Sequence, residues 1–95
     1  MKLPKKVTIC EDVTRDGFQS AAVEVAAEEK ARIIEMASEA GVSCFEVGAF
    51  TPNSVSMKKM WNTKDVFRLL NRREGISYRA LIFDLDGVKE AYEAG

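Results

Sequence analysis

Arg15, Asp16 and Gln19 stand together in the segment TRDGFQS, residues 14–20, which follows the short apolar run VTIC almost at once. An arginine fork can hold a carboxylate or an anionic substrate oxygen. Asp16 is a hard oxygen donor of the kind that suits Mg2+ or Mn2+. Gln19 can hydrogen-bond a substrate carbonyl or a metal-bound water, and Gly17 allows the backbone to turn tightly. A second acidic residue, Glu46, lies inside the apolar run SCFEVGAF, residues 43–50. Side chains alternate along a strand, so Phe45 and Val47 share one face while Cys44, Glu46 and Gly48 share the other. Two readings of Glu46 stand. On an edge strand it sits in water. In a barrel it points inward, where a carboxylate is costly unless a cation or metal pairs with it, and Arg15 is the candidate cation. An Arg-Asp-Gly tripeptide by itself is most often a surface turn.

The elements that must position these residues follow one another in a regular order. KVTICE (6–11) reads as a first strand and 12–24 as a loop. A helix runs from about Val25 to Ala40, with Glu28, Arg32, Glu35 and Glu39 on its solvent face and Ala26, Ile33, Ala37 and Ala40 opposite. Gly41 is suited to end it. SCFEVGAF is the second strand, and TPNSVSMKKMWN (51–62) is a long loop with room for one helical turn. Asn62 or Thr63 can cap a second helix, KDVFRLLNRRE, which stops before Gly75. SYRALIF (77–83) is the third strand, and DGVKEAYEAG begins a third helix. This βαβαβα order implies parallel strands joined by right-handed crossovers. Parallel sheets need cover on both faces or closure into a barrel. The chain therefore reads as the N-terminal piece of a larger α/β protein, with a self-contained three-unit domain as the alternative. Ligands of such folds bind beyond the C-terminal ends of the strands, where Arg15 and Asp16 fall.

The bulk composition narrows the function classes. Ninety-five residues with 46% hydrophobic and 31% charged side chains suit one globular unit. A net charge of −1 supplies no field for nucleic acid or an anionic membrane surface. No apolar run spans a bilayer, and MKLPKK lacks the apolar stretch of a secretion signal. Cys10 and Cys44 fit neither a disulfide framework nor a zinc site, and read as reduced core thiols of a cytosolic protein. The chain has no histidine, which removes the commonest general base and transition-metal ligand.

Taken together, TRDGFQ after the first strand, a helix ending SEAG, FEVGAF on the second strand and GISYRALIFDLDGVKEAYEAG resemble the hydroxymethylglutaryl-CoA lyase-like group of metal-dependent TIM barrels. The wider superfamily contains isopropylmalate, homocitrate and citramalate synthases and the carboxyltransferase domains of pyruvate carboxylase. The RDGFQ form favours the lyase branch over the synthases, which usually read RDGEQ. The resemblance implies an α/β fold that is a partial TIM (β/α)8 barrel, its first three β/α units with parallel strands. Residues 1–95 would be the N-terminal part of a single catalytic domain of about 250 residues. It also implies Asp16 as a ligand of Mg2+ or Mn2+ and Arg15 as the group stabilising an enolate oxygen. Gln19 would lie near the substrate and Glu46 in the active-site network. The implied reaction is cleavage of a 3-hydroxy-acyl-CoA by a cytoplasmic protein that is a homo-oligomer at full length. The sequence departs from the lyase pattern at Asp12, Val13 and Thr14, where lyases usually read VGP. It departs again at AFTPNS in place of a SFVSP-like segment, and at Asp84 in place of an asparagine. The family's remaining metal ligands, a His-x-His pair, and its loop cysteine have no counterpart here, so this chain alone is not expected to be a competent lyase.

Three other readings remain at this level. A related synthase would run condensation on the same metal site, and a non-catalytic piece would pair through its open sheet edge. ALIFDLDGV (80–88) also looks like the first motif of haloacid-dehalogenase-type phosphatases, with Asp84 and Asp86 at nucleophile and acid/base spacing. In a barrel these are loop residues, with Asp86 helping to cap the third helix. Lys58, Lys59 and Trp61 either line a thioester site or form a solvated loop. Arg72 and Arg73 either grip a phosphate or, more simply, close the second helix, and Met36 and Phe67 fall in the core.

Overall fold

The computed structural model describes residues 1–51 and 55–95. The departure at Pro52, Asn53 and Ser54 lies outside the described residues. The order of elements is a π-helical turn (Val13–Gly17), α1 (Ala27–Glu39), β1 (Cys44–Phe50), a 3-10 turn (Val55–Met60), α2 (Thr63–Leu69), β2 (Ser77–Ile82) and α3 (Leu85–Ala94). β1 and β2 pair in parallel, with Cys44 opposite Ser77 and Glu46 opposite Arg79. The helices cover one face of this sheet. The fold is α/β, with parallel strands joined by helical crossovers.

The expected first strand is reduced to a single bridge. Glu11 pairs with Phe45: its N–H donates to Cys44 O at 2.9 Å, and Glu46 N–H donates to its carbonyl at 2.9 Å. Residues 1–10 are exposed, Val7 and Ile9 among them. Cys10 is therefore exposed rather than a core thiol, whereas Cys44 is buried.

The core lies between β1 and the helices. Phe45, Val47 and Phe50 pack against Ala27, Ala31 and Ile34 of α1 and against Val66, Phe67 and Leu70. Phe50 and Phe67 stack with centroids 5.7 Å apart. Alternation alone would put Ala49, not Phe50, on the helix side. The register instead slips between Glu46 and Gly48, so that Gly48 faces Ala80. This bulge turns Phe50 toward the helices and leaves Ala49 on the opposite face, with Met60, Phe18 and Leu81.

Several local expectations shift. The buried face of α1 is Ala27, Lys30, Ala31 and Ile34, while Ala26 and Ala40 are exposed. Ala26 and Ala40 stand at the two caps, outside the helix, whereas Ala37 packs partly buried against the core as expected. Met36 is exposed, and Phe67 is core as expected. Gly41 follows α1 with φ 106°, the left-handed conformation that favours glycine. α2 ends at Leu69, so Arg72 and Arg73 do not close it. Arg72 lies over the Phe67 ring and donates to the carbonyls of Ala94 and Gly95 at the end of α3. Arg73 pairs with Glu39 at 3.2 Å. Asp84, not Asp86, caps α3, accepting from Gly87 N–H at 2.7 Å.

Gly48 permits the closest approach of α2 to β1. A Cβ there would stand 2.4 Å from Thr63 Oγ1 and 2.8 Å from its methyl group. Gly48→Ala is expected to destabilise the fold by about 1–3 kcal/mol through overpacking, read as a lowered thermal midpoint; an unchanged midpoint would contradict this packing.

Candidate active site

The turn that carries Arg15 and Asp16 is pinned from both ends. Glu11 Oε1 accepts from the N–H groups of Asp12 and Val13 at 3.1 and 3.0 Å. The carbonyl of Asp12 then accepts from the N–H groups of Arg15, Asp16 and Gly17. Thr14 is buried, and its hydroxyl donates to the Glu46 carbonyl at 3.4 Å. These contacts set the turn directly over the Glu46 segment of β1.

The side chains then converge. Arg15 Nε donates to Glu46 Oε1 at 2.6 Å, and Arg15 Nη1 donates to Gln19 Oε1 at 3.0 Å. Both members of the ion pair are largely buried, with 17% and 27% of their side chains exposed. The sequence places Arg15 and Glu46 thirty-one positions apart, and the fold brings them together. Asp12 Oδ1 lies 3.6 Å from Arg15 Nε and Asp16 Oδ1 lies 3.8 Å from Nη1. One guanidinium thus faces three carboxylates.

The Asp12 carboxyl is raised above its ordinary range. Burial is the largest cause and the Glu46 charge comes next; Arg15 acts the other way. The 3.6 Å contact to Arg15 does not offset these, because Arg15 is already committed to Glu46 at the shorter distance. Asp12, a residue of the turn's entry, is one that sequence reasoning flagged only as a departure from a pattern. Glu11, which holds the turn through two N–H groups, it missed altogether.

Asp16 is exposed, with 71% of its side chain in solvent. It is an oxygen donor of the right hardness for Mg2+ or Mn2+, but among the described residues no group of three or more acidic, cysteine or histidine side chains is arranged to hold a metal. One carboxylate is not a coordination shell, so these residues do not fit a complete metal site. Trp61 is exposed beside a groove of about 200 Å3 that Ala26, Asn62 and Arg68 also line. Asp84 and Asp86 lie outside the Arg15 cluster, and Asp84 is occupied in capping α3. Among the described residues no helix is long and apolar enough to cross a membrane.

Parallel β/α units with charged groups gathered beyond a strand end are the architecture of TIM-barrel enzymes, and this chain is part of such a barrel. The comparisons make the assignment specific. A 3-hydroxy-3-isohexenylglutaryl-CoA/hydroxymethylglutaryl-CoA lyase of Pseudomonas aeruginosa is 36% identical over 96 residues, covering all of this chain and 31% of that protein. A hydroxymethylglutaryl-CoA lyase of Bacillus subtilis is 35% identical over 95 residues, and the human mitochondrial enzyme 36% over 94 residues, 28% of its length. The crystal structure of hydroxymethylglutaryl-CoA lyase from Pseudomonas aeruginosa superposes with a TM-score of 0.88 at 35% identity, over 100% of this chain and 31% of that one. An Acinetobacter baumannii lyase in complex with coenzyme A and 3-methylmalate gives 0.84 at 31% identity, over 92% of this chain and 28% of that one. No protein-family profile matches the chain. Over its whole length the chain is similar to hydroxymethylglutaryl-CoA lyases, and it spans about a third of the length of the relatives it matches.

The raised Asp12 carboxyl has a definite sign. A folded-state value above the ordinary 3.8 means that folding favours the neutral acid. Its contribution is fully present below pH 3.8 and is lost as pH rises through the folded value. Asp12→Asn is therefore expected to raise the thermal midpoint at pH 7 and to leave it near the parent's at pH 3. A lowered midpoint at pH 7 would mean that Asp12 is held by Arg15 after all.

Proposed function

We propose that this chain supplies the first three β/α units of a divalent-cation-dependent carbon–carbon lyase that cleaves a 3-hydroxy-acyl-CoA, with hydroxymethylglutaryl-CoA as the leading substrate. The observation that carries the reading is the Arg15–Glu46 pair at 2.6 Å, set at the strand end of a chain 36% identical to a lyase of that specificity.

In such a cleavage a base takes the proton of the 3-hydroxyl. The bond between C2 and C3 breaks, C3 becomes a ketone, and its electron pair leaves on C2 as the thioester enolate, which then takes up a proton. The enolate oxygen carries the developing charge. Arg15 is the group suited to meet it, because a prepositioned guanidinium stabilises that charge without reorganising. Glu46 fixes the Arg15 Nε edge, and Gln19 fixes Nη1. Held on two sides, the guanidinium loses little freedom when substrate binds. Asp16 would give one oxygen to the cation, whose chemistry when bound is to polarise the substrate oxygens. The other ligands and the base lie outside these 95 residues. Both cysteines are free thiols, which accords with a cytoplasmic setting, and the full-length protein is expected to be a homo-oligomer.

The test is release of acetyl-CoA from hydroxymethylglutaryl-CoA by the full-length gene product, with Mg2+ or Mn2+ present. Arg15→Gln is expected to lower kcat by about 10²–10³-fold, the loss typical of removing one charge-stabilising donor. Turnover by Arg15→Gln equal to that of the parent would remove Arg15 from the mechanism. No turnover by the parent would remove the reading.

A further inference from the structure

Among the described residues Lys30 is the one charged residue that is fully buried, and the chemistry above does not use it. It sits in the first turn of α1 and is only 1% exposed. Among the described residues no carboxylate comes within ion-pairing distance of its ammonium. Burial holds that ammonium below the usual lysine range, with Glu24 opposing. A methionine would fill the same space without the cost of burying charge, so the reason for a lysine lies in what its donors reach. Nζ donates to the Lys59 carbonyl at 2.8 Å and to Asn62 Oδ1 at 2.7 Å. Both acceptors belong to the segment that leads from β1 into α2.

The connections continue from there to Glu46. Asn62 Nδ2 donates to the Val25 carbonyl at 3.0 Å, closing a loop back to the start of α1. This explains why Asn62, at the N-cap position of α2, makes no side-chain capping bond. Its neighbour Thr63 donates to the Met60 carbonyl at 2.7 Å and accepts from Ala49 N–H at 3.2 Å. Ala49 and Gly48 sit at the bulge that follows Glu46. A chain of buried polar contacts therefore runs from Lys30 through Asn62 and Thr63 to the strand that aims Glu46 at Arg15. It lies at the same end of the strands as the Arg15 turn, because α1 begins and β1 ends there.

We infer that Lys30 is a positioning residue, which clamps the segment between β1 and α2 and thereby holds β1, the strand that carries Glu46, in the geometry that orients Arg15. The kinetic part of this inference rests on the lyase reading; the clamp itself does not.

The test uses the full-length gene product with Lys30→Met, Lys30→Arg and Asn62→Ala. Two quantities are read: kcat and KM for hydroxymethylglutaryl-CoA, and amide hydrogen exchange over residues 58–63 and at Ala49. Lys30→Met and Asn62→Ala are expected to lower kcat about ten- to a hundredfold through misplacement, with KM changed less than about threefold. Exchange in the segment should quicken about tenfold. The double variant should be no worse than either single one, and Lys30→Arg should recover most of the loss. Parent-like kcat and exchange in Lys30→Met would overturn the inference. Should that variant fail to fold, the same result in Asn62→Ala would overturn it. If the parent itself does not turn over, the lyase reading falls and exchange alone decides: unchanged exchange overturns the clamp.

Discussion

The hydrogen-bonded ion pair between Arg15 and Glu46 is the constraint on which the remaining arrangement depends. Two largely desolvated charges are stable together and costly apart. Glu46 cannot turn to the helix side of the sheet, because Phe45 and Val47 fill that side. It meets a cation on the other face: Arg79 stands opposite it on β2, but the cation that pairs with it is Arg15, brought by the turn after Glu11. The turn is in turn obliged to sit where Arg15 can reach. Glu11 and Thr14 supply the fixed points, one through its carboxylate and the other through a bond to the Glu46 backbone itself.

Within these residues the sheet itself does little to place the turn. Only Glu11 is paired in the sheet, and the segment before it is exposed. Position at the site comes from side-chain contacts rather than from a ladder. A single guanidinium faces three carboxylates here, and the Asp12 carboxyl is raised, first by burial and then by the Glu46 charge.

Much of the fold was legible because strands and helices alternate with distinct periods. β1, β2 and α1 fall within a residue or two of the positions that alternation and amphipathicity give. The pairing of Arg15 with Glu46 was also legible, since an acidic residue inside an apolar strand demands a partner. What periodicity misreads is any place where local rules yield to tertiary contacts. Lys30 is charged, yet its donors are satisfied on the face of α1 that packs against the core. The bulge between Glu46 and Gly48 breaks the two-residue period, so Phe50 rather than Ala49 turns to the helices. Asn62 reads as a helix cap but spends its amide on Lys30 and Val25. Asp84 rather than Asp86 caps α3, a choice decided by one residue of boundary that propensity does not fix. The family likeness in RDGFQ, SEAG and FEVGAF was legible as well, and the relatives bear it out over the whole length of the chain.

A double-mutant cycle on unfolding, with Arg15→Gln, Glu46→Gln and the combined variant, measures the central pair without requiring activity. The account predicts a coupling free energy of about 1 kcal/mol or more, as expected for a largely buried charge-assisted hydrogen bond. Additive single effects, within about 0.5 kcal/mol, would mean that Arg15 and Glu46 stand near one another without depending on one another.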